Sequence, residues 1–159
     1  MKIRNLMDED IVNYKKTSMF IATCYCDFKC CKDLNLDICI CQNSPIAQSK
    51  IINMSDERII KRYIKNKLTH AVVFGGLEPF KQFDELIEFI KKLREQTEDE
   101  IIIYTGYNKD EIDEEINQLK QYKNIIIKFG RYIPGHKVHL DEVLGVNLAS
   151  DNQYAEKIS

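Results

Sequence analysis

Every cysteine of this chain, six in all, falls within the stretch TCYCDFKCCKDLNLDICICQNS, Thr23 to Ser44. Cysteines that serve ordinary cores are scattered, so thiols confined to one loop point to metal or cluster binding. Zinc sites favour Cys-x-x-Cys knuckles from separate parts of a chain. Here the close pairs are Cys24 with Cys26, Cys39 with Cys41, and the adjacent Cys30 and Cys31. The segment Cys26-Asp-Phe-Lys-Cys30, with further cysteines downstream, fits another chemistry. Three thiolates from one loop can hold three irons of a [4Fe–4S] cluster and leave the fourth iron without a cysteine. That open iron is chemically useful.

The elements that must position this loop alternate regularly. SMFIAT (Ser18 to Thr23), AVVF (Ala71 to Phe74), EIIIYT (Glu100 to Thr105) and NIIIKF (Asn124 to Phe129) read as short buried strands. Between them lie amphipathic helices. Ser55 to Leu68 puts Ile59, Ile60, Tyr63 and Ile64 on one face behind a Ser55 N-cap. Lys81 to Gln96 carries Phe83, Leu86, Ile87, Ile90 and Leu93 at helical spacing, and Lys109 to Tyr122 carries Ile112, Ile116 and Leu119. Val/Ile-rich runs without strict alternation, each separated by a helix, predict an α/β fold of parallel strands covered by helices. Right-handed crossovers place the loops that follow such strands on one rim. The cysteine loop, GGLEP (Gly75 to Pro79) and GYN (Gly106 to Asn108) are therefore expected to meet there, with Gly130 to His139 as an irregular loop.

A length of 159 residues predicts a single domain, residues 1–159, able to bury a core without disulfides. Its 23 basic and 25 acidic residues are interspersed, for a net charge of −2, which argues against a nucleic-acid or anionic-membrane partner. MKIRNLMDEDIVNYKKTSM is charged throughout, and no apolar run is long enough to span a bilayer. A reducing cytoplasm is the expected compartment. His70, His136 and His139 have no cysteine close in sequence and read as solvated singletons.

Four blocks in order, FIATCYCDFKC with CICQN, FGGLEPF, YTGYNKDEI and LASDNQ, resemble the radical SAM superfamily. The particular likeness is to the anaerobic ribonucleotide reductase activating proteins among the glycyl-radical activases, over about Ser18 to Gln153. Two departures stand out. Ten residues separate Cys30 from Cys41 where the family has two, and NYKKTS stands where those activases carry Gly-Pro-Gly. The resemblance implies an incomplete (β/α) barrel in which Cys26, Cys30 and Cys41 hold a [4Fe–4S] cluster. Cys39 and Cys31 stay open as alternatives for the third ligand, and Cys24 as an alternative to Cys26. Gly75, Gly76, Glu78 and Pro79, with Leu77 inserted before Glu78, resemble the block that in the family binds the methionine amino group of S-adenosyl-L-methionine (SAM). Ile40 would pack on the adenine, and Asn43, Thr105, Ser150 and Asn152 complete the implied cofactor contacts. By the same resemblance SAM is cleaved to methionine and a 5′-deoxyadenosyl radical with an electron from a low-potential donor. That radical would generate a glycyl radical on a partner such as an anaerobic ribonucleotide reductase. No catalytic group beyond the cluster ligands is implied. A second class of function also fits the thiols: a non-catalytic metal or iron–sulfur interaction module, whose closed site would take a fourth ligand from the six cysteines.

Overall fold

The computed structural model describes residues Met1–Ser159. In chain order its elements are β1 (Lys2–Ile3), β2 (Asn5–Asp10), β3 (Ser18–Ala22), α1 (Lys29–Asp33), α2 (Ser44–Gln48), β4 (Ile52–Asn53) and α3 (Asp56–Lys65). There follow β5 (Ala71–Gly75), α4 (Phe83–Arg94), β6 (Glu100–Tyr104), α5 (Asp113–Leu119), β7 (Ile125–Phe129), β8 (His139–Asp141), β9 (Val146–Leu148) and β10 (Tyr154–Lys157). Six strands form one sheet in the order β10-β7-β6-β5-β3-β2. The four expected strands are its parallel centre, while β2 and β10 are antiparallel edges that the apolar pattern did not show. NLMDED and YAEK hold no apolar run, because an edge strand need not be buried on both faces. The expected irregular segment runs from Gly130 to Val138, and His139 already belongs to β8.

Strand order explains the layering. From β3 through β5 and β6 to β7 the sheet grows in one direction, so right-handed crossovers put α3, α4 and α5 on the same face. Val72, Phe74, Ile101, Ile103, Ile125 and Ile127 point into that helical layer and pack with Ile59, Leu86, Phe89, Ile90, Ile116 and Leu119. Alternate residues Val73, Ile102 and Ile126 face the other way, onto Tyr14, Leu144 and Leu148. α3 begins as expected: the Ser55 hydroxyl accepts from Arg58 N, and Asp56 and Glu57 occupy its first turn. Its inward stripe ends at Tyr63, so Ile64 is exposed rather than buried. α4 buries Phe89 as well, edge-on to Phe74 with ring centroids 5.4 Å apart, whereas Phe83 and Ile87 are only half-buried. No helix is long and apolar enough to cross a membrane.

Candidate functional site

On the face away from the helices, at the carboxyl ends of the parallel strands, lies a cavity of about 340 Å³. That is the lower end of the roughly 300–1,000 Å³ usual for small-molecule sites. The loops that follow β3, β5 and β6 meet there. Cys26, Cys30, Cys31 and Cys41 form part of its wall, together with Ile40, Asn43, Gly75, Gly76, Glu78 and Thr105. All six thiols are free. Cys24 and Cys39 lie off the cavity. Cys24 is buried behind it, its N–H donating to Gln82 Oε1 at 2.6 Å, and Cys39 is exposed on the turn Ile38–Ile40.

Nowhere do three Cys, His, Asp or Glu side chains converge closely enough to hold one metal ion. A four-iron cluster draws several thiolates from around one cavity, and four thiols line this one. The donor set therefore fits the cluster. The neighbouring Cys30 thiol, helped by the N–H groups of Asn43 and Ser44, brings Cys41 down to about 6. Cys30 is raised in return. Burial pushes Cys26 up to about 11, opposed by the Phe28 N–H, which donates to its sulfur at 3.2 Å. Cluster ligands bind as thiolates, so loading must displace protons from Cys26 and Cys30.

Glu78 lines the cavity with its carboxylate already held by the protein. It is 5% exposed. Its Oε1 accepts from Thr105 Oγ1 at 2.8 Å and from Phe80 N at 3.2 Å, and its Oε2 accepts from Gly106 N at 2.9 Å. A carboxylate offers roughly four acceptor positions, and three of these are taken within the protein. Thr105 is engaged as well, accepting from Tyr107 N at 2.9 Å. The pair braces the loop after β5 against the loop after β6. Burial pushes Glu78 up to about 7, and its hydrogen bonds limit the rise.

Lys128 is the cavity residue that sequence reading missed. It lies in β7, 6% exposed, with Nζ donating to Gly130 O at 2.8 Å. Burial lowers it to about 8, against the opposing pull of Glu78 and Cys30. The available signal was a lysine inside IIIKF, a run otherwise buried on both faces, since lysine is almost never fully buried without a partner. Also unforeseen is a set of ions that ties α1, with Cys30 and Cys31, to the loops after β6 and β7. Arg131 donates to both oxygens of Glu111 at 2.7 Å, and its Nε lies 2.8 Å from Asp33. Lys29 pairs with Glu111 too, and Tyr107 Oη donates to Asp27 Oδ2 at 2.5 Å. The Arg131 fork holds Glu111 down to about 2.

Three expected contacts do not reach the cavity wall. Pro79 is buried at the start of the turn Pro79–Gln82. Ser150 Oγ accepts from Ile133 N at 3.3 Å, and Asn152 Nδ2 donates to Arg131 O at 2.8 Å, so both shape the loop after β7. The turn around Asp151 aims these polar ends at backbone, and the cavity receives Leu148, Ala149 and Gln153 instead. From the N-terminal part, Val12 and Asn13 join the wall, with Tyr104 Oη donating to Asn13 O at 2.6 Å.

Of the two glycines beside the thiols, Gly76 has the stricter requirement. Its φ is +79°, and a Cβ there would sit 3.0 Å from Ala22 Cβ. A left-handed non-glycine residue costs about 1–2 kcal/mol before any clash. Gly76→Ala is therefore expected to lower stability by at least about 1 kcal/mol in urea unfolding. Gly106→Ala, whose Cβ would meet only Glu78 Oε2 at 3.7 Å, should be close to neutral.

Searches among curated proteins and among solved structures give no significant match to this chain. A family model does match, over residues 15–145, a span that contains all six cysteines, the glycine-rich loop and Lys128. The thiols of the cavity wall lie within that span, and the chain belongs to the family described as the 4Fe-4S single cluster domain.

Proposed function

We propose that this protein is a radical SAM enzyme of the glycyl-radical activase type, its parallel strands forming an incomplete (β/α) barrel and its cluster held by Cys26, Cys30 and Cys41. The observation that carries the reading is the shared wall: the thiols line the same cavity as Gly75, Gly76 and a buried lysine. When bound, the cluster and SAM supply a one-electron cleavage of a carbon–sulfur bond that yields methionine and a 5′-deoxyadenosyl radical. The chain's own residues bind and orient. Gly76 lets backbone approach the methionine end, and the Lys128 ammonium is the natural partner for its carboxylate. Ile40, half-exposed at the mouth, offers an apolar surface to the adenine. Glu78 and Thr105 hold the two strand-end loops in place around these contacts.

The expected target is a glycyl-radical enzyme resembling an anaerobic ribonucleotide reductase, with a low-potential donor as reductant in a reducing cytoplasm. This part rests on the sequence blocks YTGYNKDEI and LASDNQ. A fourth thiol on the wall, Cys31, favours one competitor, a closed cluster in a non-catalytic interaction module. Anaerobic reconstitution with iron and sulfide, then dithionite reduction with SAM, separates the two. Equal amounts of 5′-deoxyadenosine and methionine are expected. A fully loaded cluster that never cleaves SAM would rule the enzyme out.

A further inference from the structure

The cavity wall holds one sulfur more than an open cluster needs. Cys31 is 3% exposed, it lines the same cavity as Cys26, Cys30 and Cys41, and its Sγ lies 3.9 Å from Cys30 Sγ. Buried apolar packing is the usual reason for such a thiol. Its place on the wall of a cavity fitted for iron gives it another. Thiolates on different irons of one cluster stand farther apart than two sulfurs in contact, so the Cys30 sulfur, which neighbours those of both Cys31 and Cys41, must part from them as a cluster loads. Ligation by Cys30 and Cys31 together requires the Cys31 sulfur to swing away from that of Cys30. Nothing covalent prevents this, since both thiols are free.

The backbone around Cys31 is also under tension. The strain lies at Phe28, just before α1, with φ +54°; the φ of +51° at Asn35, just after it, is one that asparagine adopts readily. A bulky residue in the left-handed region is an outlier that persists only where its surroundings enforce it. Flanking the two thiols are the ion pairs of Lys29 with Glu111 and of Asp33 with Arg131, the latter at 2.8 Å. They grip the two ends of the five-residue helix and leave Cys30 and Cys31 between them.

We infer that Cys31 is an exchangeable fourth thiolate: it caps the cluster's open iron when the cavity holds no SAM, and yields that iron when SAM binds. The inference rests on the radical SAM reading above. The exchange is redox-neutral. One iron–thiolate bond breaks, and the iron gains bonds to the amine and carboxylate of SAM. The proton that the SAM ammonium must lose goes to the departing Cys31 sulfur. Such a cap would protect the most exposed iron from oxygen in the resting protein.

The test uses the full chain, reconstituted anaerobically with ⁵⁷Fe and sulfide, as wild type, Cys31→Ala and Cys31→Ser, with folding checked by circular dichroism. Without SAM, the wild-type Mössbauer spectrum should show four thiolate-ligated irons, and Cys31→Ala should show one distinct iron. SAM should then produce the same distinct iron in both. If the open form is about a tenth of the resting wild type, Cys31→Ala should bind SAM about tenfold more tightly. Oxidation with ferricyanide should convert Cys31→Ala, far more than wild type, to the three-iron cluster seen by electron paramagnetic resonance. Identical spectra without SAM, with both proteins still answering to SAM, overturn the cap alone. A wild type deaf to SAM beside a responsive Cys31→Ala makes Cys31 a permanent ligand and overturns the exchange. Loss of the whole cluster in both Cys31 variants also makes it a permanent ligand. If neither protein responds to SAM, the radical SAM reading falls with it.

Discussion

Lys128→Met is expected to make the cluster-free protein more stable and its site useless. Burial lowers the Lys128 ammonium from 10.5 to about 8. At about 1.4 kcal/mol per pKa unit this is about 3 kcal/mol of folding free energy forgone wherever the group is charged. The folded chain releases this proton at lower pH than the unfolded chain does. The penalty is thus complete below about pH 8 and fades as pH rises towards the unfolded value of about 10.5. Methionine has similar length and no charge to desolvate. Gly130 O, which loses the lysine, still accepts from Gln153 Nε2 at 3.2 Å. Urea unfolding of the apo-protein should show the gain at about pH 7 and little of it at about pH 10.5. A charge-assisted hydrogen bond is worth about 1.5–3 kcal/mol, so SAM affinity should fall by roughly ten- to a hundredfold or more. A variant no more stable at neutral pH, or one that binds SAM unchanged, would mean that this buried charge is not kept for a ligand.

The second large effect separates the thiols. Cys41→Ala should abolish the cluster: iron and sulfide per chain should drop from about four each to a small fraction of one, with loss of the visible absorption. Cys26→Ala and Cys30→Ala should do the same. Cys39→Ala should retain the full complement, because Cys39 is exposed on the outside of the turn Ile38–Ile40 and is absent from the cavity wall. Cys24→Ala should retain it too, at some cost in packing, since Cys24 is 1% exposed and lies behind the site. Iron retention in Cys41→Ala together with loss in Cys39→Ala would reverse the ligand assignment.

Regular structure was readable to within a few residues wherever burial imposed a period. The runs AVVF and EIIIYT are apolar because their strands are covered on both faces, and Ser55 sits at the N-cap because its hydroxyl satisfies an otherwise unpaired N–H. Ile64 was misplaced for a local reason. It follows Tyr63, the last buried residue of α3, and near the end of a helix periodicity no longer reports what lies opposite. Phe89, packed in the helical layer, adds to the stripe of Phe83, Leu86, Ile87, Ile90 and Leu93 read from spacing. The edges β2 and β10 were invisible because strands paired on one side, with polar residues outward, leave no apolar signature.

Local chemistry along the chain was enough to establish that the thiols belong to one loop, that this loop follows a parallel strand, and that two further strand-end loops share its rim. Chain connectivity and the handedness of crossovers decide those points. Only the tertiary structure decided which sulfurs share a wall, that Glu78 turns inward as a brace, and that Lys128 reaches the cavity. These depend on contacts between residues far apart in sequence, such as Arg131 with Asp33 and Glu78 with Thr105. Spacing along a chain carries no record of side-chain direction once the backbone leaves a regular element, and the path from Lys32 to Ile40, exposed at every residue, has no burial period to reveal it.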